Sequence, residues 1–218
     1  MKIAVLGGTG HIGIGLSLRL AIAGYEVIVG SRKGEKARQK AEEYTSMLES
    51  RGLNGVISGA DNAKASELSD VAILAIPYSH VYKAAESLKE DLAGKIVITP
   101  VVPMEKKSRL FIYAPPPEGS AAEKIASILK DSRVVSAFQT VPAERFANLD
   151  ERFEWDVPVC SDDDEAKRIV LEIVNSIDGL RGLDAGPLAA SRLVEGLTPL
   201  LINISIRNKV KDLSVKFV

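Results

Sequence analysis

Cysteine, histidine and glutamine are nearly missing from this chain. The single cysteine, Cys160, excludes an internal disulfide and a cysteine-based metal site. His11 and His80 are the only imidazoles, and no Ser-His-Asp grouping, His/Cys metal spacing or lysine base stands out, so neither a resident metal nor a dedicated catalytic acid or base is expected. An excess of one charge is missing too. With 28 basic and 29 acidic side chains the net charge is −1, so no overall field draws the protein to nucleic acid or to an anionic membrane. Any attraction for anions must be local. Long apolar runs are absent, since every one is interrupted well before the roughly 20 residues that span a bilayer. Met1-Lys2-Ile3-Ala4-Val5 runs directly into a strand-like segment and leaves no stretch for a signal peptide, which sets the expectation of a cytoplasmic protein.

What is present is 218 residues with 46% apolar and 26% charged side chains, enough for one domain with a real core and an appendage. Short Ile/Val-rich runs alternate with segments of helical period, the pattern of a parallel sheet covered by helices. Strands are expected at 2–6, 26–29, 55–58, 71–75, 95–99, 134–137 and 157–160. Helices are expected at 12–23, 33–50, 63–68, 79–88, 120–129 and 163–177. The stretch Tyr113-Ala114-Pro115-Pro116-Pro117-Glu118-Gly119 must be a surface connection, because successive prolines fix φ and lack donors. Beyond about Phe138 the alternation loosens, and Pro187 to Ile206 reads as a long helix followed by a short strand near 213–217. The division expected is residues 1–150 as the main domain and 151–218 as a smaller C-terminal one.

Val5-Leu6-Gly7-Gly8-Thr9-Gly10-His11-Ile12-Gly13 places a GxGxxG spacing after a strand and before a helical pattern. That is the context of a dinucleotide-binding loop, in which glycines make the turn, open the way to the pyrophosphate and let helix and strand approach. The helix start offers unpaired N–H groups and a partial positive charge to phosphate. The fold class is therefore α/β: a Rossmann-type doubly wound parallel sheet with a small C-terminal domain. An NAD-binding domain usually carries an acid at the end of the second strand, roughly 20 residues on, to hold the ribose hydroxyls. Here that place reads Gly30-Ser31-Arg32-Lys33-Gly34-Glu35-Lys36. A hydroxyl with Arg32 and Lys36 suits a 2′-phosphate, so NADP(H) is preferred over NAD(H). Alone, the cluster reads equally well as a solvated basic surface relieved by Glu35.

Ligands of open α/β sheets lie outside the carboxyl ends of the strands. The segments expected there, Ile76-Pro77-Tyr78 and Thr99-Pro100-Val101-Val102-Pro103-Met104, are apolar and stiffened by proline, which suits flat rings. Tyr78 and Tyr82 share a helix face, a spacing that simple packing also explains. The acidic run Ser161-Asp162-Asp163-Asp164-Glu165 is better explained as a helix cap than as a metal site. An NADP-binding chain without an evident acid or base points to hydride exchange between two cofactors placed face to face.

Several segments carry a family resemblance: Ile3 to Gly10, Gly30-Ser31-Arg32, Val141-Pro142-Ala143-Glu144-Arg145-Phe146-Ala147-Asn148-Leu149, Trp155 to Cys160 and Asp184 to Leu188. Over essentially its whole length the chain resembles the archaeal coenzyme F420-dependent NADP oxidoreductases. The resemblance implies reversible hydride transfer between nicotinamide C4 and deazaflavin C5. It places NADP contacts at Thr9, Gly10, His11, Ile12, Ser31, Arg32 and Lys36, with Tyr78 at an aromatic position. It also implies a deazaflavin lying against Val102 and Pro103, near Gln139, Val141 and Ala143 and the C-terminal helix. Family members carry a histidine where this chain has Gln139, and glutamine neither titrates nor carries charge. The alternatives are an NADPH-dependent reductase of FMN, FAD or another small acceptor, and a non-catalytic NADP-sensing module. The apolar C-terminal helix is consistent with a homodimer, or with packing on its own sheet.

Overall fold

The structure, a computed structural model, describes Met1–Val218. Its centre is a sheet of six parallel strands: β1 (Lys2–Leu6), β2 (Glu26–Ser31), β3 (Val56–Asp61), β4 (Val71–Leu74), β5 (Ile96–Thr99) and β8 (Arg133–Ser136), in the order β3-β2-β1-β4-β5-β8. Burial on both faces explains why these strands read as continuous apolar runs rather than as alternating ones. Alternate residues feed different cores. Ile3, Val5, Val27, Val29, Ile73, Ile98 and Val135 join one cluster with α1 (His11–Ile22), α2 (Gly34–Glu49), α6 (Ala143–Ala147) and α7 (Asp164–Asn175). Ala4, Leu6, Ile28, Leu74, Val97 and Val134 join the other with α3 (Asn62–Leu68), α4 (Tyr78–Leu88) and α5 (Ala121–Ile128). The order in which successive strands are added reverses between β1 and β4, which run parallel, and this is where open α/β sheets place their ligands.

The sequence pattern misses three further strand segments and one helix. β6 (Met104–Lys107) and β7 (Leu110–Tyr113) form an antiparallel hairpin, so the apolar stretch after β5 continues into an exposed ribbon. β10 (Leu180–Asp184) runs parallel to β9 (Trp155–Val159). The small sheet joins the large one through a bridge in which Ser136 and Cys160 exchange N–H···O bonds of 2.9 and 3.0 Å. Trp155, Val157, Val170 and Ile173 belong to the same apolar cluster as Ile3 and Val5. The short helix α6 was not visible in the pattern because a five-residue element shows no full period.

The expected strand near 213–217 does not form. That segment is held instead by isolated contacts: the Asp156 backbone N–H donates to Val215 O at 2.9 Å, and Arg181, which grips the Asp156 carboxylate through two 2.7 Å bonds, also donates to Phe217 O at 2.7 Å. The acidic run behaves as a cap, with Asp163 accepting from Ala166 N at 2.7 Å. The long C-terminal segment is a short 3-10 turn followed by α8 (Ser191–Asn208). Pro199 lies inside α8 and is buried.

Candidate functional site

A crevice of about 1540 Å³ runs along the carboxyl ends of the parallel strands. It is larger than the roughly 300–1,000 Å³ of a typical small-molecule pocket. Its floor at one end is the β1–α1 turn. Gly7 takes φ of +79°, a conformation that favours glycine, and its N–H and that of Gly8 both donate to Gly30 O at 3.0 Å. A Cβ at Gly13 would stand 2.6 Å from Gly8 Cα, so the third glycine is required for helix and strand to approach. Gly10 is the N-cap of α1 and makes no side-chain cap, which leaves the first amides of the helix facing the crevice. From α2, the Tyr44 hydroxyl donates to Gly8 O at 3.0 Å and fixes the turn from behind. Burial pushes that phenol up to about 12, so it stays a donor.

The end of β2 supplies the basic corner. Ser31 is buried, with its oxygen 3.5 Å from Lys33 N, while Arg32, Lys33 and Lys36 are exposed on the crevice rim. Glu35, the residue able to neutralise them, instead pairs with Arg38 at 2.8 Å. Three cations around the first turn of α2 are therefore left without an acidic partner, at the positive end of the helix dipole. Such an arrangement is unfavourable until an anion occupies it.

Across the switch point, Ile76, Pro77 and Tyr78 line the wall after β4, and Pro100, Val101, Val102 and Met104 the wall after β5. Tyr78 stands edge-on to Tyr82, their ring centroids 5.5 Å apart, and Tyr82 lies behind it with a buried hydroxyl lacking any partner. Thr9, Gly10, His11, Ile12, Ser31, Arg32, Lys36, Val102, Gln139, Val141 and Ala143 all line the same crevice. Pro103 does not. It is buried beneath the rim, its carbonyl accepting from Ala114 N at 3.0 Å as the chain enters the hairpin.

The far end is closed by the β8–α6 connection and α8. Phe138 adopts φ of +72° although it is bulky, a strained conformation that turns the chain after β8. Gln139 is 5% exposed, and its Nε2 donates to Thr99 O at 2.8 Å and to Ser136 Oγ at 2.7 Å. The amide thus ties β5 to β8, while its Oε1 has no partner. Thr198, on α8, donates to Gln139 O at 2.9 Å and lines the crevice. Thr198 and Phe138 were missed from the sequence because neither lies in a motif. Only the fold brings them to the site.

α8 is set in place by a fully buried carboxylate, Glu195. One oxygen accepts from Ala122 N at 3.1 Å, the other from Ala121 N at 2.9 Å and from the Tyr113 hydroxyl at 2.8 Å. It therefore caps α5 from a helix more than seventy residues away. Burial raises its carboxyl to about 7, against the pull of the three donors. Burial and the adjacent Glu195 push the Tyr113 phenol upward, which keeps it protonated and donating.

The segment Val141 to Leu149 is pinned from α1. Arg19 donates to Phe146 O at 2.7 Å and to Asn148 O at 2.8 Å, and its guanidinium lies over the Phe153 ring, which stacks on Trp155 at 3.9 Å. Gly15 has no Cβ where Phe146 presses on α1, a site at which one would stand 2.6 Å from the ring.

Comparison with known proteins agrees with this geometry. A family described as "NADP oxidoreductase coenzyme F420-dependent" matches residues 2–103. The F420-dependent NADP reductase of Methanocaldococcus jannaschii is 43% identical over 221 residues, covering 99% of this chain and 97% of its own. That of Methanothermobacter marburgensis is 39% identical over 220 residues, with coverage of 99% and 97%. Among solved structures, a protein of Arthrobacter sp. FB24 described as a candidate F420-dependent NADP reductase superposes with a TM-score of 0.83 at 24% identity, covering 100% of this chain and 99% of its own. At that identity the superposition speaks to the fold alone.

Proposed function

The chain belongs to the family of coenzyme F420-dependent NADP oxidoreductases, and from that premise we propose that it catalyses reversible hydride transfer between NADP(H) and coenzyme F420. The observation that carries the reading is the basic corner at Ser31, Arg32 and Lys36, unpaired with acids and set at one end of a long crevice walled by apolar, proline-stiffened segments. With both coenzymes bound, NADPH would supply a hydride from nicotinamide C4 to deazaflavin C5, one proton from the medium would complete the reduction, and the reverse reaction would release it. The residues then have to bind, orient and exclude water.

In this reading the amides from Thr9 to Ile12 hold the pyrophosphate, and Ser31, Arg32 and Lys36 hold the 2′-phosphate. Ile76, Pro77 and Tyr78 form a stiff wall for the nicotinamide side. Val102, Val141, Ala143 and the Gln139 segment, backed by α8, keep the second ring in register. No side chain is required to carry the hydride. Residues 151–218 act in this scheme as the part that completes the deazaflavin side, and the protein works in the cytoplasm.

Mixing the protein with NADPH and oxidised F420 and following the loss of the deazaflavin's visible absorbance tests the proposal. Turnover is expected with F420 and little with FMN. Turnover with FMN alone would establish a flavin reductase instead, and tight NADPH binding without turnover on either would establish a sensor. We further propose a homodimer through α8, on which Leu193, Leu200 and Ile204 are exposed in a stripe. Sedimentation of Leu193→Lys should then show monomers where the wild type shows dimers.

A further inference from the structure

The lysines and arginines of this protein divide sharply by what they touch. Half of them pair with an acid. Arg19 and Lys95 donate to backbone carbonyls. Apart from the isolated Lys130 and Arg152, the remaining cations fall in two groups. One, with Arg32, Lys33, Lys36 and Lys83, lines the crevice. The other has no role in the reading above: Lys106, Lys107 and Arg109 on the β6–β7 hairpin and Arg207, Lys209 and Lys211 at the end of α8, all of them exposed.

The two halves of the second group are held together. Asn203 on α8 accepts from Phe111 N at 2.8 Å and donates to Phe111 O at 2.7 Å, so the hairpin is fastened to α8 one turn before Arg207. Lys106 pairs across the ribbon with Phe111, its Nζ 5.8 Å from the ring centroid. Only Glu105 and Asp212 offset the six cations within these segments. The hairpin begins at Met104, which lines the crevice, and strand rise carries it about 10 Å outward to Lys107. A positively charged surface thus starts at the mouth of the site and leads away from it. Like charges gathered without partners repel one another, and an anion laid among them relieves that repulsion.

We propose that this surface binds the anionic tail of the deazaflavin co-substrate, a flexible chain of phosphodiester and carboxylate groups attached to the ring. The inference rests on the hydride-transfer reading and adds to it a second electrostatic anchor, at the opposite end of the crevice from the 2′-phosphate corner. The tail is held by several exposed contacts, so the grip weakens as salt rises.

The test compares intact F420 with the tail-free deazaflavin riboside, on the wild type and on two variants, Lys106→Gln/Lys107→Gln/Arg109→Gln and Arg207→Gln/Lys211→Gln. None of these side chains has an acidic partner in the fold, and the one contact among them, Lys106 over the exposed-ribbon Phe111, is long, so neither variant should lose much stability. Equilibrium binding is read from quenching of deazaflavin emission, and KM from turnover with NADPH. The hairpin variant is expected to raise Kd and KM for intact F420 by about tenfold at low salt, with the difference closing at high salt. The tail-free compound and NADPH should bind the variants and the wild type alike. Equal losses for both deazaflavins, or no loss for the intact one, would overturn this proposal alone. Failure of the wild type to bind or reduce either deazaflavin would overturn it together with the functional reading.

Discussion

At the nucleotide end of the crevice, the geometry is made by backbone atoms close in sequence. Gly8 N bonds Val5 O at 2.9 Å, Gly10 N bonds Gly7 O at 2.9 Å, and Ile14 N bonds Gly10 O at 3.0 Å. At the opposite end, where the deazaflavin is proposed to lie, it is made by side chains reaching across the fold: Glu195 to Tyr113, 82 residues away, and Thr198 to Gln139, 59 away. The first construction fails when an atom is added, since glycine supplies a space. The second fails when an atom is taken away, since a buried carboxylate satisfies three donors that nothing else reaches. Each end therefore has its own characteristic lesion, and the two should be separable by experiment.

The largest effect is expected from Glu195→Ala, which strands the Tyr113 hydroxyl and two amides of α5. Orphaning buried partners at this density costs about 3–5 kcal/mol, to be read as a lower midpoint of chemical denaturation. The folded fraction should bind NADPH normally and F420 poorly. A loss below about 1 kcal/mol would mean that α8 is not held by this carboxylate. Glu195→Gln sharpens the point through pH. Burial raises the folded-state value to about 7 from 4.5, so the protonated form is the one that folding favours. The stability due to this group is fully present below pH 4.5 and is lost as pH rises through 7, by up to about 3 kcal/mol. The variant should lack that slope between acid and neutral pH.

Gly13→Ala is the complementary lesion and comes next in size. Its Cβ would meet backbone at Gly8 rather than a movable side chain, so overpacking of about 1–3 kcal/mol is expected. The shifted loop should weaken NADPH while leaving the affinity for F420 alone nearly intact. A variant that lost both equally would erase the distinction between the ends.

The same contrast explains what the sequence disclosed. The glycine loop, the basic corner and the order of strands and helices were legible because each rests on neighbours: period, spacing and the punctuation of glycine and proline. The proline-stiffened rim was legible for the same reason, although its last member, Pro103, turned inward where the β6–β7 ribbon begins. Met104-Glu105-Lys106-Lys107 gave no strand signal because exposed ribbon residues show neither burial nor alternation. Nothing in the sequence around Glu195 sets it apart from a solvated helix charge. Only its meeting with the start of α5 gives it meaning, and that meeting is tertiary. Gln139 drew attention through the family resemblance, and the structure adds that its N–H groups face inward to Thr99 and Ser136.

Arg32→Ala tests the nucleotide end by a milder route, removing a side chain from an end that otherwise depends on backbone. A hydrogen-bonded ion contact with the 2′-phosphate is worth about 1.5–3 kcal/mol, so NADPH should weaken by roughly 10- to 100-fold. NADH has no such phosphate and should be nearly unaffected. Equal losses for the two would show that Arg32 does not read the phosphate.

Gln139→His should have the smallest effect, and it locates the boundary between the two constructions. The amide's Nε2 donates to both Thr99 O and Ser136 Oγ. A neutral imidazole has one N–H and can replace only one of these bonds, so the closure of β5 on β8 should lose about 1 kcal/mol, read as a small fall in thermal midpoint. NADPH affinity should stay the same, because the basic corner lies at the other end of the crevice. If the ring settles where the amide sits, facing inward, KM for F420 changes little and shows no new dependence near pH 6.5. A new titration in KM at that pH would mean that position 139 addresses the second ring directly and is part of the binding surface rather than the strap behind it.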